Sequence, residues 1–293
     1  MNAGVAWALV AAFGFGITQT LNRKSNLLVG AFRTAFGLLA AVEIVLVARL
    51  FVTGEVRLLS DAPLSSLAFF SGSAIIHYVA GWTLLALSQH QVGVGRTGAV
   101  VAAAPLVGTL LAAPILGESL GLGTLGGVIL TVCGVALVSI SRAPEAGKGR
   151  WTIPGYGLAV ALCWGSSPML IRKGLEGIDE PVLGLTVGLA VALTVQAGIL
   201  TATGSWRAGT WTVRALPWMA LGGVTGSVGI GAQWISFGLT TVAISITVQQ
   251  LATLVVVALA PLMFDSVVER INTWLLTGTA AMLAGSALVV WAG

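Results

Sequence analysis

The chain has 293 residues, of which 57% are hydrophobic and only 8% charged, with a mean hydropathy of +0.99. A soluble domain carries about 25% charged residues because its surface faces water; this chain has too few to cover itself, so its solvent is lipid. The formal charge of +4 rests on 14 basic and 10 acidic residues with no basic run, which excludes a nucleic-acid interface and assigns the charges to loops.

The N-terminus (MNAGVAWALV) lacks a charged leader region and reads as a first span, not a cleaved signal. From there about ten apolar runs follow, each long enough to cross a bilayer as a helix, the form that satisfies its own backbone in lipid. They cover 3–22, 27–51, 64–87, 92–115, 121–140, 153–173, 180–203, 213–238, 241–263 and 271–292. Between the fifth and sixth lies the one clearly polar break, 142–150 (RAPEAGKGR). The spacing predicts a five-helix repeat over 1–141, a linker at 142–151 and a second repeat over 152–293.

Shifting the sequence by 151 positions places Gly4, Gly14, Gly37, Gly72, Gly127 and Gly134 on Gly155, Gly165, Gly188, Gly223, Gly278 and Gly285. Roughly two or three such matches are expected by chance, so the chain reads as one unit written twice. Glu118 falls on Glu269, and Ala136-Leu137-Val138 on Ala287-Leu288-Val289. An odd number of spans per unit makes the second enter the membrane from the opposite face. That is an inverted-topology repeat, a plan recurrent in transporters, whose site lies near the midplane between the repeats.

Seven tryptophans, Trp7, Trp151, Trp206, Trp211, Trp218, Trp274 and Trp291, fall at run ends or in loops as an interfacial belt. Gly222 with Gly226, Gly127 with Gly134, and Gly278 with Gly285 have the spacing that lets helices approach closely, their partners being left open by the sequence. Arg23, Lys24, Arg142, Lys148, Arg150, Arg207, Arg214 and Arg270 share one face by loop parity, against Arg49, Arg57, Arg172 and Lys173 on the other. That imbalance places both termini outside the cytoplasm.

Three tryptophans sit deep: Trp82 in the third run, Trp164 in the sixth and Trp234 in the eighth. Beside them are Ser73, His77 and Tyr78 (SGSAIIHYVAGW), Ser166-Ser167-Pro168, Gln233, and a stripe of Ser245, Gln249 and Thr253 with Gln250 next to it. Such groups must face the bundle interior. They serve either as hydrogen bonds between helices, about 0.6 kcal/mol each, or as the lining of a ligand cavity. Indole faces, amides and one histidine fit a small amphipathic solute, or an ammonium held by cation–π attraction. His77, Tyr78, Trp82, Trp164, Gln233, Trp234, Ser245, Gln249 and Gln250 are the candidate substrate-binding residues.

Pro105 in the fourth run, Pro168 in the sixth and Pro261 late in the ninth each permit a kink. Glu43 is the best case of a carboxylate inside the membrane, with Arg49 further along the same run. His77 is the one mid-depth group that titrates near neutrality. Cys133 and Cys163 have no spacing for a disulfide or a metal. No HExxH, GxSxG or Walker pattern is present, so an enzyme is disfavoured and neither cofactor nor metal is expected.

Pro105, then Gly117-Glu118, then Gly126-Gly127 and Gly134 (APLVGTLLAAPILGESLGLGTLGGVILTVCGVAL), with Trp164-Gly165-Ser166 and Arg172-Lys173, resemble the drug/metabolite transporter superfamily in its ten-helix form with two EamA-like halves. The likeness runs over essentially the whole chain. The second half departs from it: Val256 stands in the proline position, and Phe264-Asp265 precedes Glu269 without a Gly-Glu pair. The resemblance implies a cavity between the halves, lined by the first, third, fourth, sixth, eighth and ninth helices, export of small metabolites, and cytoplasmic termini; the last is opposite to the loop-charge count, and the sequence leaves orientation open. His77, Tyr78, Trp82 and Trp164 look most like the bacterial exporters of aromatic amino acids. Sugar-phosphate translocators share the fold class, but the mid-depth Lys or Arg that would meet phosphate are missing.

The expectation is therefore an all-α, multi-pass protein of the bacterial inner membrane that exports amino acids by alternating access, complete as one polypeptide and acting as a monomer. An exporter of organic cations, with Glu43 as the acid that meets the ligand, is the alternative.

Overall fold

The computed structural model describes residues 2–92, 94–141, 155–204, 212–263 and 272–293, and every regular element among them is helical. The expected linker at 142–151, Trp151, Trp206, Trp211 and Glu269 lie outside the described residues. Ten long helices follow in order: α1 (Ala3–Val29), α2 (Phe32–Thr53), α3 (Leu64–Gln89), α4 (Thr97–Leu116), α5 (Leu122–Ile140), α6 (Gly155–Leu175), α7 (Pro181–Ala202), α8 (Val213–Leu239), α9 (Val242–Met263) and α10 (Thr273–Ala292). Among the described residues, nine of these are long and apolar enough to cross a membrane. Trp164, Ser166, Ser167, Pro168, Arg172 and Lys173 dilute α6; the face that carries Trp164 and Ser167 packs on α3, α4 and α8, so those residues meet protein rather than lipid.

One boundary differs from the sequence reading. α1 does not stop before Arg23 and Lys24 but continues through them to Val29. The chain turns at Gly30, whose φ of 83° lies where side-chain-bearing residues are strained. Long basic side chains extend along a helix end toward the interface, so they do not terminate it.

Glycines settle how the two halves meet. A Cβ on Gly127 would lie 2.7 Å from the Gly285 carbonyl oxygen, and one on Gly134 2.7 Å from that of Gly278. From the other side, Gly278 faces the Gly134 carbonyl and Gly285 that of Gly127. The partner of α5 is therefore α10, in backbone-to-backbone contact that no larger residue permits. Residue numbers rise along one helix as they fall along the other, so the pair is antiparallel. Because Gly127 corresponds to Gly278 and Gly134 to Gly285 at the 151-residue spacing, the same element runs in opposite directions in the two halves. Inverted topology follows directly.

The remaining packing has the same reciprocity. α1 lies on α8 as α6 lies on α3; α4 on α6 as α9 on α1; α2 on α8 as α7 on α3; and α4 on α5 as α9 on α10. The main core, which includes Leu39, Phe70, Tyr78, Leu185, Leu189 and Trp234, lies between α2, α3, α7 and α8. Of the expected belt residues that are described, Trp7, Trp274 and Trp291 are exposed, the last two at the ends of α10, while Trp218 is half-buried.

Candidate functional site

The middle of α3 is not regular. Residues Ile75–Gly81 form a π-helical turn within an otherwise α-helical segment. Such a turn adds a residue to the local repeat, re-aims the side chains on it and is frequent at functional sites. It carries His77 and Tyr78, and Trp82 follows it directly.

α6 supplies the opposite wall. The His77 and Trp164 rings stack with centroids 5.6 Å apart and planes inclined by 17°. The Trp164 Nε1–H donates to the His77 carbonyl at 3.2 Å, and the indole sits over Gly81, where a Cβ would meet it at 2.5 Å. His77 Nδ1 shares a hydrogen bond of 2.8 Å with Ser167 Oγ, and Ser73 Oγ donates to the Ser167 carbonyl at 3.1 Å. The one-turn spacing of Ser73 and His77 thus brings both onto a single residue of α6. Pro168 helps to explain why that region is available: lacking an N–H, it leaves the Trp164 carbonyl without its helical donor, and Ser167 Oγ approaches it at 3.4 Å instead.

Tyr78, 3% exposed, joins this pair to the core. Its ring lies 4.6 Å from His77 and meets Trp82 edge-on at 5.9 Å. The Trp234 indole N–H lies beside the Tyr78 hydroxyl but closes no well-formed hydrogen bond with it. Trp234 itself is 1% exposed and packs against Phe70 at 5.6 Å. Five of the expected residues, His77, Tyr78, Trp82, Trp164 and Trp234, therefore form one aromatic cluster across α3, α6 and α8.

The amides form a second group. Gln233 Nε2 donates to Gln249 Oε1 at 2.7 Å, Gln249 Nε2 to Ser245 Oγ at 2.8 Å, Ser245 Oγ to Ser236 Oγ at 2.8 Å, and Ser236 Oγ to the Gly4 carbonyl at 2.9 Å. This buried relay ties α8, α9 and α1 together, each donor ending on an acceptor. Gln233 and Trp234, neighbours on α8, thus engage different partners. Gln250 stands apart from the relay, at a break in α9 between Val242–Gln249 and Ala252–Met263. There the Thr253 N–H bonds Gln250 O, so the helical bond to Gln249 O is not made.

α4 is broken at the corresponding depth. Val94–Val101 and Ala104–Leu116 are separate helices, and Pro105 is the second residue of the latter rather than the interior kink expected. It denies the Val101 carbonyl a helical donor. Paired interruptions at matching places in two inverted repeats are a mark of a midplane binding site in transporters.

Sequence reasoning placed Ser167 near the deep tryptophans but not among the binding residues, and it passed over Phe70. The signal for Ser167 was its place between Trp164 and Pro168; Phe70 gave none, because an aromatic in an apolar run reads as core. Glu43 Oε2 is buried with no hydrogen-bond partner among the described residues. Arg49 does not serve it, being held by Glu55 at 2.5 and 2.9 Å.

No curated protein sequence matches the chain. A crystal structure of another protein superposes with a TM-score of 0.76 at 17% identity, covering 100% of this chain and 98% of that one, and so shares the fold. Residues 2–140 match the family described as the EamA-like transporter family. Five helices fall in that segment, which is just under half of the chain, five more follow in inverted register, and the fold match spans the whole chain; the first half is thus an EamA-like transporter unit of the drug/metabolite transporter superfamily, and the chain has the architecture of a multi-pass membrane transporter.

Proposed function

We propose that this transporter exports amino acids across a bacterial inner membrane, aromatic ones preferred, by alternating access between two repeats, 1–141 and 152–293, within a single chain. The observation that carries this reading is the stacked His77–Trp164 pair on the π turn of α3. Indole and imidazole faces suit a planar apolar side chain, offset stacking contributing about 0.5–1.5 kcal/mol beyond area burial. His77 Nδ1 is engaged by Ser167, which leaves Nε2 for the polar end of the solute. The breaks in α4 and α9 supply backbone carbonyls near the same depth, and Gln250 flanks one of them. The relay through Gln233, Gln249 and Ser245 holds α8 and α9 as the opposite wall.

The test is uptake of radiolabelled phenylalanine or tryptophan into proteoliposomes, with and without a pH gradient. Time-dependent accumulation that is lost in Trp164→Ala supports the reading, and equal counts in protein-free vesicles exclude it. Glu43 favours a second reading, a carrier of organic cations, because its buried Oε2 is without a donor. Resistance of cells to cationic dyes that disappears in Glu43→Gln would mark that outcome.

A further inference from the structure

α4 and α9 hold equivalent places in the two halves, yet they meet only at one end. On the face where the chain begins and ends, Ala104–Leu116 of α4 packs against Val242–Gln249 of α9. There Ile246 reaches the spot where a Cβ on Gly108 would stand. No comparably extensive packing joins the other two parts, Val94–Val101 and Ala252–Met263, among the described residues. The pair therefore converges on the terminal face and diverges toward the opposite one.

A carboxylate closes the converged end. Gly117, with φ of 70°, ends α4 in the left-handed conformation and turns the chain. The next residue, Glu118, accepts the Val242 N–H on both oxygens, at 2.8 Å to Oε1 and 3.1 Å to Oε2. Val242 is the first residue of α9, so its N–H has no acceptor within its own helix. The Thr241 side chain takes the Ile244 N–H and leaves that of Val242 to Glu118. The carboxylate also meets the positive end of the α9 dipole. Another bond on this face differs in kind. Arg172 Nη1 donates to the Phe237 carbonyl at 2.6 Å, but α6 and α8 belong to the same half. Glu118 reaches from the first half to the second.

We infer that Glu118 is the latch of a gate on the terminal face. Resting on the alternating-access reading above, the inference assigns the captured state: closed at the terminal face by the Glu118–Val242 bond, open toward the other. When the terminal face opens, the start of α9 leaves α4, the Val242 N–H loses its acceptor and the carboxylate is taken up by water. A charge-assisted bond is roughly twice as strong as a neutral one, so glutamine in this place weakens closure without removing the side chain.

The experiment needs no substrate, so its failure is separate from a failure to transport amino acids. In full-length protein with Cys133 and Cys163 replaced by serine, single cysteines are placed at Ile246, within the converged seam, and at Val100, in the diverging part of α4. Their labelling by a water-soluble maleimide is timed in lipid nanodiscs. Glu118→Gln is expected to speed labelling at position 246 by about fivefold or more and to slow it at position 100, the reciprocal change of a gate. Gly117→Ala, which keeps the carboxylate but strains the turn that aims it, is expected to do as Glu118→Gln does, faster labelling at position 246 and slower at position 100. Unchanged rates at both positions, or a parallel rise at both, would overturn the latch, the second meaning only a loosened fold.

Discussion

The α1–α8 seam and the α6–α3 seam are equivalent contacts under the repeat, each joining one half to the other, and they are built differently. On the first, Gly14 and Gly229 bring backbone against backbone, and Thr18 and Thr225 share a hydrogen bond of 2.8 Å. On the second, Trp164 stacks on His77 beside a π turn. The 151-residue spacing places Phe13 and Val228 where Trp164 and His77 stand. Phe13 is 60% exposed and Val228 51%, and both line an apolar groove of about 520 Å3 on the outside of the bundle. Duplication preserved the backbone plan while the stacked ring pair and the π turn stand on one seam alone. Symmetry of fold is therefore no guide to symmetry of side-chain chemistry in this molecule.

The sharpest way to break the comparison is to enlarge a glycine on each seam. A Cβ on Gly14 would lie 2.5 Å from the Gly229 Cα and 2.7 Å from its N, atoms that cannot turn aside. Gly14→Val is expected to cost about 3 kcal/mol or more and to be read as loss of monodisperse protein in size-exclusion chromatography. Next in size is the effect on transport. His77→Ala and Trp164→Ala are expected to lower uptake about tenfold, equivalent to about 1.4 kcal/mol, with melting temperatures near that of the parent. Phe13→Ala and Val228→Ala, at the matching places, should stay within about twofold. Gly81→Ala is smaller again. The two nearest atoms it would meet belong to the Trp164 side chain, which can shift, and the Ile76 carbonyl oxygen stands further off at 3.3 Å. It is expected to fold normally and to lose transport partway, because the indole moves off His77. The smallest effect belongs to Thr225→Val, which removes the hydroxyl bond to Thr18. Buried bonds of this kind between membrane helices average about 0.6 kcal/mol, so a fall of a degree or two in melting temperature, with transport intact, is the outcome to check.

Much of this architecture was legible before any coordinates. Apolar runs give the helices because lipid forces the backbone to satisfy itself, and the glycines repeated at 151 residues gave the duplication. What the pattern left out was distance in three dimensions. Gly127 and Gly134 marked a close contact but not its partner, since small residues carry no label for what they touch. Glu118 was visible as part of a Gly-Glu pair, while its acceptor role depends on a backbone N–H 124 positions away. For Gln233, Gln249 and Ser245 the pattern left open bonds between helices or a cavity wall; in the fold they hydrogen-bond one another. The break at Gln250 and Leu251 has no proline to announce it, unlike the one before Pro105. The π turn had no residue signature either, for Ile75–Gly81 is an ordinary apolar stretch apart from His77 and Tyr78.

Equilibrium binding of phenylalanine to the purified transporter, compared among the parent chain, Trp164→Ala and Phe13→Ala, tests most directly whether the α6–α3 seam alone meets the solute. The parent and Phe13→Ala are expected to bind alike, and Trp164→Ala about tenfold more weakly. Equal affinity in the parent and Trp164→Ala, or weakened binding in Phe13→Ala instead, would contradict the assignment.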